Sequence, residues 1–267
     1  MRRVIYSLYI DIQNPVSHFE NQGKFNNNLN WLLDKQKRYA ELCQADYLHF
    51  IYDEKFIEYS KQFGPEISEY NIINFYKMHL LYQLDYDEIL YLDIDVIPVT
   101  DKNFFDVWDL DKGIAVLHNN HKVKDMRAIT EYSQTIRSPT SKYYNSQAIL
   151  LEKNLSPTND VINTGIIGVN KKHLNNLKYF DNFDSDIEMM TNLKNNYDIF
   201  PKKIVDFFGY DNETLFSVKL KEHNVPVQWL DNKWHYFFDK QFFIPKDVKF
   251  VHTINKEFDI VWRRYNA

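Results

Sequence analysis

The sequence predicts an α/β protein with a mostly parallel central sheet flanked by helices. Three observations predict it. Short apolar runs alternate with stretches of helical period along most of the chain, the order that builds parallel sheets. One run, EILYL at 88–92, is continuous rather than alternating, as in a strand buried on both faces. No internal repeat and no dividing linker interrupts the 267 residues, so 1–267 read as a single domain.

The elements follow in order. Residues 2–12 alternate and are rich in Val, Ile and Tyr, which suits a first strand. Residues 25–43 set Phe25, Leu29, Leu32, Leu33, Ala40 and Cys43 on one helical face. DYLHFIY at 46–52 is a second strand. Residues 66–84 are helical, with Tyr70, Ile73, Leu80, Leu81 and Leu84 spaced by three or four. EILYL follows and stops abruptly at DIDVIP. GIAVLH at 113–118 repeats the strand pattern. Residues 119–160 are irregular and polar, and read as an excursion with short helices that supplies a lid and acceptor contacts. Order resumes with VINTGIIGVN at 161–170, helices at 184–196 and 211–223, and strands near 226–230 and 248–253.

Composition excludes several classes. Only 6 glycines are present, and neither common phosphate-loop fingerprint occurs. A net charge of −5 argues against broad binding to nucleic acid. The single cysteine, Cys43, excludes an intrachain disulfide and a thiolate metal site. No run of about 18 apolar residues spans a membrane. The N-terminal MRRVIYSLYIDIQNP lacks a small-residue cleavage site and reads as a strand rather than a signal peptide, so a cytoplasmic location is expected. The C-terminal VWRRYNA, with Trp262, Arg263, Arg264 and Tyr265, reads either as a solvated terminus or as a weak contact to an anionic membrane surface.

The strongest chemical feature is Asp93-Ile94-Asp95. In extended backbone, residues i and i+2 point to one side, so the carboxylates are expected to converge. They close a central strand, where open α/β sheets bind ligands. Two acids there repel unless a cation joins them, and oxygen ligands favour Mg²⁺ or Mn²⁺. The plainer reading is a solvated turn.

The run KMHLLYQLDYDEILYLDIDVIP resembles the nucleotide-sugar glycosyltransferases of the single-domain A-type fold, and is most similar to family 8. The resemblance implies a metal at Asp93 and Asp95, and places Lys77 where a basic residue contacts the nucleotide. VINTGIIGVN resembles the family's N-x-G strand, which implies that Asn163 and Gly165 line the donor-sugar pocket. DNETLF resembles its D-Q-D element. That implies Asp211 near sugar hydroxyls, Asn212 near the reacting carbon, and Glu213 in the same catalytic segment. FVHTINKEF resembles its C-terminal H-x-x-G-x-x-K-P-W motif, which implies His252 as third metal ligand and Lys256 on the diphosphate. Tyr9 and Asp11 end the first strand on the same rim and are assigned to the nucleotide. Arg127 is a further candidate for orienting the sugar.

Departures from the pattern are specific. Asn212 is one methylene shorter than the family's Gln, and Glu213 replaces an Asp. The C-terminal motif lacks Gly and Pro-Trp. Each residue also has a structural alternative: Lys77 a solvated helix residue, Asn163 a strand-edge partner, Gly165 a packing necessity, Asp211 a helix N-cap, His252 a hydrogen-bonded core residue. The function implied is metal-dependent transfer from a nucleotide diphosphate sugar, with UDP the expected nucleotide, to a hydroxyl on a glycan, lipid-linked or protein acceptor, with retention. The alternatives are an inverting transferase with Asp211 or Glu213 as base, a noncatalytic nucleotide-sugar-binding module, and a sugar nucleotidyltransferase, the last disfavoured by the missing Gly-rich loop.

Overall fold

The computed structural model describes residues 1–11, 19–125, 138–239 and 243–266. The large sheet has six strands: β1 (Arg3–Leu8), β2 (Asp46–Phe50), β3 (Glu88–Leu92), β5 (Ile114–His118), β6 (Ile162–Asn170) and β7 (Val227–Trp229). Their spatial order is β2-β1-β3-β6-β5-β7. β1 runs parallel to β2 and β3, and β5 parallel to β7, while β6 is antiparallel to both of its neighbours. The sheet is thus mostly parallel, as the sequence predicts, with one reversed strand.

β1 is followed by a strand on one side and, after two crossovers, by β3 on the other. Chain order reverses there, which opens a crevice at the carboxyl ends of β1 and β3. All five residues of EILYL are buried, as the unbroken apolar run requires.

A second, three-stranded sheet joins β4 (Val96–Pro98), β9 (Phe250–Thr253) and β8 (Tyr236–Phe238) in that spatial order. The short β4 and β8 lie outside the strands expected from sequence. Three residues separate β3 from β4, so the chain passes from one sheet to the other through Asp93-Ile94-Asp95.

Helices cover the sheets. α1 (Phe19–Leu42) buries Leu32, Gln36, Tyr39 and Ala40 at helical spacing. α2 (Glu54–Ser60) is capped by Asp53, and α3 (Glu69–Gln83) by Ser68, each accepting from a backbone N–H in the first turn. α3 buries Ile72, Phe75, Tyr76, Lys77, Met78, Leu80 and Leu81, while Tyr70, expected on that face, is exposed. α4 (Phe104–Val107) is a single turn capped by Asn103.

The excursion contains a substantial helix, α5 (Ser138–Glu152), with Thr140, Ser141, Asn145, Ser146, Ala148, Ile149 and Leu150 buried. This part of 119–160 is built into the core rather than lying over it. Then come α6 (Lys171–Leu177), α7 (Phe183–Asn196), α8 (Lys202–Val205) and α9 (Asn212–Glu222). The C-terminal segment is also a helix, α10 (Phe258–Asn266). Phe258 and Val261 are buried and Ile260, Trp262, Arg263 and Arg264 exposed, so it is not a loose tail. Among the described residues, no helix is long and apolar enough to cross a membrane.

Candidate metal and donor site

The Asp93-Ile94-Asp95 segment is a turn, closed by the Val96 N–H donating to the Asp93 carbonyl at 2.9 Å. The expected convergence of the two carboxylates is therefore produced by a turn, not by strand alternation. The buried Gln36 of α1 holds it from below, its amide donating to the carbonyls of Asp93 (2.9 Å) and Val96 (3.0 Å). The Asp93 N–H donates to the Gly165 carbonyl at 2.8 Å, tying the turn to β6.

The second sheet delivers the imidazole. β4 pairs antiparallel with β9 in a register that sets Val96 opposite His252. The next residue, Thr253, donates both its N–H and its hydroxyl to the Asp95 carbonyl at 3.0 Å. A one-residue slip would turn His252 to the other face. In this register, His252 Nε2 lies 3.3 Å from Asp95 Oδ2 and 3.9 Å from Asp93 Oδ2. One ligand atom from each of Asp93, Asp95 and His252 falls within 4.8 Å of the others. Two carboxylates and an imidazole form a donor set that fits a divalent cation such as Mn²⁺ or Mg²⁺.

The site is electrostatically balanced. Lys77 is 3% exposed, which excludes a solvated helix residue. Its ammonium donates to the Thr164 carbonyl (3.2 Å) and stands 3.6 Å from Asp93 Oδ1. Tyr91 donates to the same oxygen at 2.5 Å. Lys256 pairs with Asp95 Oδ2. Burial pushes the Asp95 carboxyl up, but Lys256 and His252 beside it more than offset this and hold it well below the usual carboxylate range. Two ammonium groups thus face two carboxylates.

His252 is not an isolated core histidine. Its Nδ1 lies 2.9 Å from Nε2 of the fully buried His235. Burial, and then the neighbouring His252, push the His235 imidazole well below its ordinary value, so it stays neutral. On another side the His252 ring packs on the backbone of Gly165, where a Cβ would meet Cε1 at 2.6 Å. Gly165 is a packing necessity and also a neighbour of the proposed ligand. Asn163 Oδ1 accepts from the Gly165 N–H at 3.0 Å.

The Asp211-Asn212-Glu213 segment opens α9. Asp211 is its N-cap, accepting from the N–H groups of Glu213 (2.9 Å) and Thr214 (3.1 Å). Asn212 donates to the Thr164 hydroxyl at 3.1 Å. Glu213 accepts from the Thr164 N–H (2.8 Å) and hydroxyl (3.2 Å) and pairs with Lys142. Lys142 also stands 3.3 Å from Asp211. Burial lowers the Lys142 ammonium, but Asp211 and Glu213 more than offset this and raise it. A 280 Å³ pocket lies alongside, lined by Asn71, Ser141, Lys142, Asn145, Tyr210 and Asp211 among others.

Thr164 joins the two halves: its carbonyl accepts from Lys77 beside Asp93, and its N–H and hydroxyl bind Glu213. Tyr9 follows β1 and packs on Phe25 (5.2 Å), over which the Lys256 ammonium sits at 5.2 Å. Asp11 lies just beyond on the same rim, half-buried. Arg127 lies outside the described residues.

Sequence reasoning missed Gln36, Lys142, Thr164 and His235. Thr164 sits inside the N-x-G motif and could have been read from it. The others are single polar residues in no recognisable spacing.

No protein-family model matches the chain, and no curated protein is significantly similar in sequence. Solved structures are similar in fold. A glycosyltransferase involved in the glycosylation of the major capsid of PBCV-1 superposes with a TM-score of 0.51 at 13% identity, over 98% of this chain and 99% of that one. Galactosyltransferase LgtC in complex with donor and acceptor sugar analogs gives 0.48 at 13%, over 94% and 87%. Mouse xyloside xylosyltransferase 1 gives 0.47 at 14%, over 95% and 98%. The first of these shows the fold: the described residues have the A-type glycosyltransferase fold.

Proposed function

We propose that this protein is a metal-dependent glycosyltransferase that moves a sugar from a nucleotide diphosphate sugar, UDP being the expected nucleotide, to a hydroxyl acceptor. The observation that carries the reading is the convergence of Asp93, Asp95 and His252 at the carboxyl end of β3. Fold alone does not assign chemistry, so the weight rests on that cluster and on its charge. Two carboxylates and the ammonium groups of Lys77 and Lys256 cancel. A divalent cation added to them leaves a double positive charge, which a diphosphate dianion matches.

Asp93, Asp95 and His252 would hold Mn²⁺ or Mg²⁺. Bound there, the metal supplies positive charge where the leaving diphosphate develops negative charge. Lys256 would turn from Asp95 to the diphosphate. Tyr9 and Asp11, on the β1 rim, take the nucleotide side, and Lys77 faces Asp93 from beneath. Asn163 and Gly165 wall the donor sugar, whose hydroxyls Asp211 orients. The described parts of 119–160, residues 119–125 and 138–160, would take the acceptor side, a reading supported by Lys142 reaching Glu213 and by Lys122 standing 4.4 Å over the Phe237 ring. The exposed Ile260, Trp262, Arg263 and Arg264 of α10 would make any weak membrane-surface contact.

Retention is the expected stereochemistry. An inverting enzyme needs a carboxylate free to take the acceptor proton. Asp211 caps a helix and faces Lys142, and Glu213 is paired with Lys142 and bonded to Thr164. Burial pushes the Glu213 carboxyl up, but Lys142 more than offsets this and lowers it, which makes Glu213 a weak base. Asn212, which donates to the Thr164 hydroxyl, would take the position beside the reacting carbon.

The test is a screen of nucleotide sugars for Mn²⁺-dependent release of nucleoside diphosphate, repeated with Asp95→Asn. Loss of release in EDTA and about a 10²–10³-fold loss in the variant are expected. Undiminished release in chelator would refute the metal reading, and no release with any donor would leave a binding module. Proton NMR of the product from an α-linked donor reads the stereochemistry: a new α-linkage is expected, and a β-linkage would make Asp211 or Glu213 the base.

A further inference from the structure

His235 lies on the turn that leads into β8, with no exposed surface. Asp231 holds that turn, its carboxylate accepting from the N–H groups of Lys233 (2.8 Å) and Trp234 (3.0 Å), and its carbonyl from the His235 N–H (3.1 Å). The His235 and His252 rings meet edge to edge, with centroids 5.2 Å apart and planes 20° from parallel. Phe237 flanks both rings, at 4.9 and 5.4 Å. Nε2 of His235 faces Nδ1 of His252 at 2.9 Å, and Nδ1 of His235 is buried with no hydrogen-bond partner among the described residues.

The chemistry of imidazole gives this contact a direction. A neutral histidine carries one ring proton. His252 can offer the lone pair of Nε2, the nitrogen that faces both carboxylates, only when that proton is on Nδ1. The hydrogen-bond partner at Nδ1 is Nε2 of His235. His235 must then be the acceptor, with its own proton on the unpartnered Nδ1. The orphaned polar atom is what this arrangement leaves behind, and an aromatic filler of the same shape would have avoided it.

We propose that His235 is a positioning residue for the metal centre: it accepts the Nδ1 proton of His252, which fixes the ring and presents a bare Nε2 to the cation. Gly165 and His235 hold one ring together, Gly165 by close packing and His235 by a hydrogen bond. The proposal rests on the reading of Asp93, Asp95 and His252 as metal ligands.

The experiment compares wild type with His235→Phe, which keeps a ring without an acceptor, and His235→Gln, which keeps a polar atom at similar reach. Mn²⁺ affinity is measured by calorimetry and electron paramagnetic resonance without any nucleotide sugar. His235→Phe is expected to weaken binding about 10–100-fold, and His235→Gln to recover most of the loss. In the wild-type protein loaded with diamagnetic Mg²⁺, ¹⁵N NMR of the His252 ring is expected to show the proton on Nδ1. This measurement needs no variant to fold. Wild-type protein that binds no Mn²⁺ would refute the metal site and the proposal with it. Tight wild-type binding that His235→Phe leaves unchanged, equal loss in Phe and Gln variants that melt like wild type, or an Nε2-protonated His252 in the Mg²⁺ form would each overturn the role of His235 alone.

Discussion

A Cβ on Gly165 would lie 2.6 Å from Cε1 and 2.9 Å from Nδ1 of His252, so the two residues leave no room for a side chain between them. The reason is steric, since the backbone of Gly165 is not in the left-handed region that only glycine adopts readily. Gly165→Ala is therefore expected to push the imidazole away from Asp93 and Asp95. Mn²⁺ affinity should fall about 10–100-fold while far-UV circular dichroism stays unchanged. An unaltered metal titration would show that the ring can shift without cost to the site.

Lys256 competes with a cation for Asp95. Its ammonium rests on Oδ2, where the metal is proposed to bind. Lys256→Gln is expected to tighten Mn²⁺ binding in the absence of nucleotide by roughly 10-fold, about 1.4 kcal/mol. That is well inside the ~4 kcal/mol that two unit charges exchange at 4 Å near a protein surface. The same variant should bind the nucleotide sugar more weakly, because a diphosphate loses its cation. Parallel titrations of Mn²⁺ and of nucleotide with Mn²⁺ check both signs.

Glu213 couples stability to pH. Its folded carboxyl lies below the ordinary value of 4.5 because Lys142 outweighs burial. A depressed acid contributes stability that is complete above the unfolded value and is lost as pH falls through the folded one. Wild-type Tm should therefore decline below pH 4.5 more steeply than that of Glu213→Gln. At neutral pH the variant should be less stable by about 3 kcal/mol, the cost of leaving a buried ion pair half-made. Superimposable Tm–pH curves would remove Glu213 from the acid transition.

A second buried charge cluster, apart from Asp93, Asp95 and His252, serves as a control. Asp186 of α7, 1% exposed, forms ion pairs with Lys153 and with the fully buried Lys219, each at 2.7 Å. Asp186→Ala would leave Glu222 as the one carboxylate paired with both ammonium groups among the described residues, and is expected to cost about 3 kcal/mol. Denaturant melts should record that loss, with Mn²⁺ affinity unchanged at temperatures where the variant is folded. A metal-binding defect in the folded variant would contradict the assignment of the two clusters to separate roles.

Most of the sheet was legible because strand and helix periods are local. EILYL, VINTGIIGVN and FVHT carry their burial in their own composition, and each forms a strand within a residue or two of the expected bounds. α5 was not legible. Its sequence SPTSKYYNSQAILLE buries small polar residues, and no apolar stripe marks the face. These residues are tolerated inside because carbonyls elsewhere accept from them: Ser141 donates to Phe207 at 2.6 Å and Asn145 to Gly209 at 3.0 Å. β4 and β8 are three residues each, too short to show a period.

The sequence by itself determined the α/β order, the strand that ends in Asp93-Ile94-Asp95, and the late strand that carries His252. Those features depend on composition and spacing within a few residues. Only the tertiary structure decided that the two acids meet through a turn between two sheets, that Lys77 is buried beside Asp93, and that Lys142 reaches Glu213. It alone set His235 against His252. Each of these depends on a register or a packing distance between segments far apart in the chain, 161 residues in the case of Asp95 and Lys256. A period read along one segment carries no information about which side chain from another will stand 3 Å away.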